Sequence, residues 1–167
     1  MLPEVVGYRS QSETMQANLT RLRTRPVKRE THYLNTDLDL VAERSLEALT
    51  AALNSKGVFP FDAEPREDGH WYATLETEEQ FDSPEPNIMA MLTAIETLDQ
   101  RSRELWSACT SREFNIGYDC GDEPWAFNHA LTAPTLARIA ALGISLRITL
   151  YPAETAASMP SESTHDT

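Results

Sequence analysis

The chain has 167 residues, 41% of them apolar, with 26 acidic and 14 basic side chains and a formal net charge of −12. That length and apolar content fit one domain with a real core, and six glycines and ten prolines exclude a collagenous or wholly disordered chain. The charge argues against a nucleic-acid binder, which needs a basic surface against phosphate. The longest uncharged run, the 14 residues from Pro124 to Ala137, falls short of the roughly 18 that a membrane helix requires.

Met1-Leu2-Pro3-Glu4 leads into no apolar stretch, so no secretory signal is expected and the cytoplasm is the default compartment. Residues 1–30 carry six basic and three acidic side chains, net +3, which leaves net −15 on residues 31–167. They read as a basic, flexible N-terminal arm, separated from the acidic domain by Pro26. Three roles fit it: a tail leaning on its own acidic domain, an RNA-touching arm, or sequence ahead of a true start at Met15. Residues 31–153 then form one acidic domain. Residues 154–167, rich in Ala, Ser, Thr and Pro, read as a disordered tail.

Within the domain, Leu34, Leu38 and Leu40 alternate with Tyr33, Asn35, Asp37 and Asp39, the period of a half-buried strand. Ser45 caps a helix carrying Leu46, Leu49 and Leu53, and Gly57 supplies its left-handed end. Val58 to Phe61 is a short strand, placed at a sheet edge by Pro60, which has no N–H to give a ladder. Asp68-Gly69 turns the chain into a returning strand, His70 to Thr77. Ser83, Pro84 and Pro86 open a long helix, with a break near Asp99 and an inner stripe of Ile88, Leu92, Ile95, Leu105 and Cys109. Glu113 to Tyr118 is a fourth strand. Thr132 caps a short helix bearing Leu136, Ile139 and Ala140, Gly143 ends it, and Ile144 to Tyr151 alternates most clearly of all. In that last strand Ile144, Leu146, Ile148 and Leu150 are expected inward and Arg147, Thr149 and Tyr151 outward. The order is βαββαβ followed by αβ, which predicts an α+β fold: a ferredoxin-like sandwich extended by a C-terminal αβ unit, with one open sheet face. Cys109 and Cys120 flank the fourth strand, roughly 20 Å apart, too far for a disulfide, so both are expected as free thiols.

The run from Asn128-His129-Ala130-Leu131-Thr132 through Leu136 to Gly143, then Ile144 to Tyr151, is similar to the helix–Gly–strand ending of a family of small bacterial α+β domains of unknown function. Some members of that family lie near toxin–immunity loci. The resemblance covers about 40 residues, from Glu113 onward, and implies no catalytic residues.

No nucleophile elbow, zinc-protease helix, phosphate loop or dinucleotide fingerprint occurs, and the four histidines share no metal-ligand spacing, so no cofactor is expected. Two places remain for function. One is the open face, where Tyr33, Asn35, Asp37, Asp39, Tyr72, Glu76, Glu113 and Tyr151 combine interface-type tyrosines with carboxylates that steer a basic protein. The acidic run from Asp62 to Glu85, net −8 over 24 residues, extends it. The other is the loop after the fourth strand, where Asp119, Asp122, Glu123 and His129 suit a divalent cation and Trp125 with Phe127 is expected to plug the loop onto the core. The leading expectation is a binding protein for a basic protein, with an immunity or inhibitor role as its sharpest form. A metal- or small-ligand-binding module or enzyme centred on the loop, and a DNA mimic, are the alternatives.

Overall fold

Residues 29–152 are those that the computed structural model describes; most of the expected arm and tail lie outside them. In chain order they form β1 (His32–Ala42), α1 (Glu47–Asn54), β2 (Val58–Pro65), β3 (Trp71–Thr77), α2 (Pro84–Glu96), α3 (Gln100–Ser107), β4 (Ser111–Asp119), α4 (Ala133–Ala141) and β5 (Ser145–Tyr151). The fold is α+β, with a mixed five-stranded sheet in the order β2-β3-β1-β4-β5. All neighbours are antiparallel except β4 and β5. The order differs from that of a simple ferredoxin-like sandwich because β5 joins outside β4. The crossover through α4 makes that pairing parallel, since a tight hairpin cannot. None of the described helices is long and apolar enough to cross a membrane.

Local signals place the boundaries. Gly57, Gly69 and Gly143 all hold positive φ, at 82°, 82° and 66°, where they end α1, turn the β2–β3 hairpin and end α4. Asp99 divides the long helical stretch, its Oδ1 accepting the N–H of Ser102 at 2.7 Å to cap α3. One sheet face is dry: Leu38, Leu40, Leu75 and Phe114 are wholly buried against Leu49 and Leu53 of α1 and Ile88, Met91 and Leu92 of α2. Each such side chain contributes about 1.5–3 kcal/mol relative to exposure. Cys109 and Cys120 are both unbridged, at opposite ends of β4.

Two departures from simple alternation matter. In β1, Tyr33 pairs with Tyr118 and Thr36 with Ile116, so Leu34 and Asn35 together face Gly117. Two residues against one is a β-bulge, and it reverses the alternation. Tyr33, expected outward, therefore turns into the core (8% exposed), while Leu34, expected inward, is exposed. In β5 the expected inward residues do lie on the helix side, paired with Phe114, Ile116 and Tyr118. Ile144, just ahead of β5, is buried as expected, but the three within the strand are uncovered: Leu146 is 39%, Ile148 64% and Leu150 63% exposed. The cause is where α4 sits. Glu85 of α2 accepts from the Thr132 and Thr135 hydroxyls, both at 2.7 Å, and Arg138 pairs with Glu96 at 2.8 Å. These contacts draw α4 against α2 and leave Leu136 exposed as well.

Candidate functional site

The face of the sheet away from the helices carries the polar set. On β1, Asn35 donates from Nδ2 to Asp37 Oδ1 at 2.8 Å and to Glu76 Oε1 of β3 at 3.1 Å, so one amide serves two carboxylates. Burial, then the neighbouring Glu76 and Asp39, push the Asp37 carboxyl up to about 6, against the pull of Asn35 and Arg147. Asp39 is better served: the Thr74 hydroxyl donates to it at 2.8 Å and Arg147 Nη2 at 2.9 Å. Arg147 also pairs with Glu113, so this one guanidinium bridges β5 to both β1 and β4 across the face. The β2–β3 register adds Asp62 opposite Thr74 and Glu64 opposite Tyr72 on the same side. Carboxylates thus run across β2, β3, β1 and β4, with Arg147 set among them.

The sequence-derived set divides on this geometry. Asn35, Asp37, Asp39, Glu76 and Glu113 come together as a single patch. Tyr33 does not belong to it: its hydroxyl meets Thr36 Oγ1 at 2.8 Å and accepts from Asn87 Nδ2 at 2.9 Å inside the core, where burial pushes the phenol up to about 12. Tyr72 lies on the face but is engaged at the hairpin end, its hydroxyl donating to Asp68 at 2.7 Å and its ring covered by the Arg66 guanidinium at 4.1 Å. Tyr151 ends β5 half exposed, with its carbonyl accepting the Cys120 N–H at 2.9 Å. Asp62 and Glu64, which composition marks only as hairpin charge, join the patch. The alternation of Asp62, Ala63, Glu64 and Pro65, set one step out of phase by a bulge after Pro60, is the signal that places them on the face.

The loop after β4 does not converge. Asp119 meets Arg29 at 3.4 Å, and the Arg29 carbonyl accepts the N–H groups of Asp122 at 2.8 Å and Glu123 at 3.2 Å. The chain at residues 29–30 crosses directly over Gly121, where any Cβ would collide with the Arg29 and Glu30 backbone. His129 points elsewhere, its Nδ1 at 3.2 Å from the Tyr118 hydroxyl and its ring packed edge-on against Phe127 at 4.8 Å. Among the described residues no group of three or more His, Cys, Asp or Glu side chains is placed to hold a metal ion. Trp125, expected to plug the loop, stands 97% exposed, and Phe127 alone packs, on Tyr118 at 5.7 Å. Backbone hydrogen bonds to residues 29–31 fasten this loop in place of aromatic packing by Trp125.

Where the β1 bulge opens the sheet, a cleft of about 550 Å³ lies between β1, the end of β3 and the His129 segment. Tyr33 and Asn87 line its depth, Phe127 and His129 one wall, and Asn35 and Glu76 join it to the acidic face. No family model, curated protein or solved structure matches this chain, so the chemistry of the site stands on its own geometry.

Proposed function

We propose that this protein is a binding module for a basic protein, engaged through the acidic sheet face and the adjoining β2–β3 hairpin, with an immunity or inhibitor role as the sharpest form. The observation that carries the reading is the Asp37–Asn35–Glu76 group: two carboxylates sharing one amide on the face away from the described helices, beside Asp39 and Glu113. Carboxylates crowded in this way repel one another and desolvate poorly alone, and a partner's guanidinium or ammonium group relieves both costs. The same field repels phosphate, so nucleic acid is not the partner we propose. The frame for the face, in our reading, is a ferredoxin-like unit of β1 to β4 with α1 to α3, to which α4 and β5 are appended. The resemblance of residues 113–151 to a family of small bacterial domains, some of whose members lie near toxin–immunity loci, points the same way. The test is co-purification with the intact chain and with a variant carrying Asp37→Asn, Glu76→Gln and Glu113→Gln. A basic partner retained by the first, released by moderate salt and missing from the second supports the reading. A partner held equally by both, or one held independently of salt, overturns it.

The cleft favours a second reading, a small-ligand module, which draws on His129 and Phe127 and leaves out Asp119, Asp122, Glu123 and Trp125. A thermal-shift screen of organic cations, with Phe127→Ala as control, separates it from the first.

A further inference from the structure

The two edges of the sheet are guarded very differently. The β2 edge carries Pro60 and Pro65, a bulge after Pro60, and the charges of Asp62 and Glu64. Prolines, bulges and charges are the devices that keep an edge from pairing with another chain. The β5 edge has none of them. Ser145–Tyr151 is a seven-residue strand without proline, glycine or bulge, and its one charge, Arg147, is already held by Asp39 and Glu113 of its own chain. Among the described residues no strand pairs with its outer side, and Leu146, Ile148 and Leu150 stand exposed in a row on the helix side.

We propose that β5 is a self-association edge, and that its occupant is β5 of a second copy, paired antiparallel about a two-fold axis through Ile148. The strand is self-complementary in that register. Ile148 meets its own copy, Leu146 faces Leu150, Arg147 faces Thr149 and Ser145 faces Tyr151. All six leucine and isoleucine side chains then fall on one side as a continuous apolar row, and no unpaired charge faces another. A two-fold axis makes the contact isologous and closed, so pairing stops at two copies. Two seven-residue strands with six apolar side chains bury on the order of 1,000 Å² in total, the low end for a specific interface, so a weak, reversible dimer is expected. The result is a ten-stranded sheet with both acidic faces on the same side.

Sedimentation velocity on the full chain from 1 to 200 µM tests the pairing, since the expected weight shifts from monomer to dimer within that range. Ile148→Glu, a change at an exposed position, is expected to give a monomer throughout with unchanged circular dichroism. The register has its own test in a Cys120→Ser background. Ile148→Cys is expected to cross-link on mild oxidation, because directly opposed residues lie about 4.5–5.5 Å apart, within disulfide reach. Ser145→Cys is not, because its two copies are separated by about 20 Å in this register. A chain that stays monomeric at 200 µM overturns the proposal, as does a dimer that survives Ile148→Glu or one that cross-links through 145 as readily as through 148.

Discussion

Replacing Asp37 with Asn is expected to stabilise the protein at neutral pH and to do little in acid. The Asp37 carboxyl is raised from 3.8 to about 6, first by burial and then by Glu76 and Asp39. A carboxyl raised on folding holds its proton more tightly in the folded chain. Its ionised form therefore subtracts stability progressively as pH rises from about 4 to about 6, and subtracts it fully above. The span corresponds to about 3 kcal/mol at most. Asp37 is only half-buried on a face open to solvent, so screening reduces this to about 1–1.5 kcal/mol. Asn keeps an oxygen for the Asn35 amide and removes the charge. For a domain of this size the gain is about 3–8 °C in Tm at pH 7.5. Thermal unfolding of both proteins at pH 4 and pH 7.5 reads it directly. An equal gain at the two pH values, or a loss at pH 7.5, refutes the argument that crowded charge at Asp37 costs stability. The same titration bears on the proposed function, because binding of a basic partner favours ionised Asp37 and should weaken as pH falls below about 6.

Gly121→Ala forces the residue 29–30 backbone away, and should cost about 1–3 kcal/mol in chemical denaturation while speeding hydrogen exchange at the Asp122 and Glu123 amides that bond Arg29. Glu85→Ala removes the acceptor of two hydroxyls and the Thr132 N–H, and should cost about 1–2 kcal/mol. Burial pulls the Glu85 carboxyl up, but the hydrogen bonds from Thr135 and Thr132 outweigh it and hold it below its ordinary value. The stability it brings is thus present above that value and lost in acid, so the penalty of Glu85→Ala should be smaller in melts taken in acid than in melts at neutral pH. Phe114→Ala empties a wholly buried site and should cost about 3–5 kcal/mol, visible as a large drop in the urea midpoint.

The stops and the polar face were legible in the sequence because each depends on local chemistry. Gly57, Gly69 and Gly143 occupy conformations that other residues resist, and the parity of Asp37, Asp39, Thr74, Glu76 and Glu113 follows from the pleat alone. The bulge was hidden. Leu34, Leu38 and Leu40 share one parity, as an unbroken strand would, and only the pairing of Leu34 and Asn35 with Gly117 of a distant strand reverses Tyr33. The exposure of β5 was hidden for a different reason. Alternation in Leu146, Ile148 and Leu150 reports which side of the sheet they share, and says nothing of whether a helix lies over it. That depends on Glu85 and Arg138 drawing α4 toward α2, contacts between residues more than 40 positions apart. In the loop, residue types suited to a cation were present, but Arg29 from the other end of the domain took up Asp119 and the Asp122 and Glu123 amides.

The turn after β4 also fixes where the described chain begins and ends. Cys120 holds the carbonyl of Tyr151, and two residues later Asp122 holds that of Arg29, so both ends of the described residues lie side by side at one corner. A short peptide bridge across that corner would join them without crossing the sheet, and the exposed Asp68-Gly69 turn offers a place to open the chain anew. The connectivity of this fold is in that sense close to a ring. The order of its elements along the gene is separable from their arrangement in space.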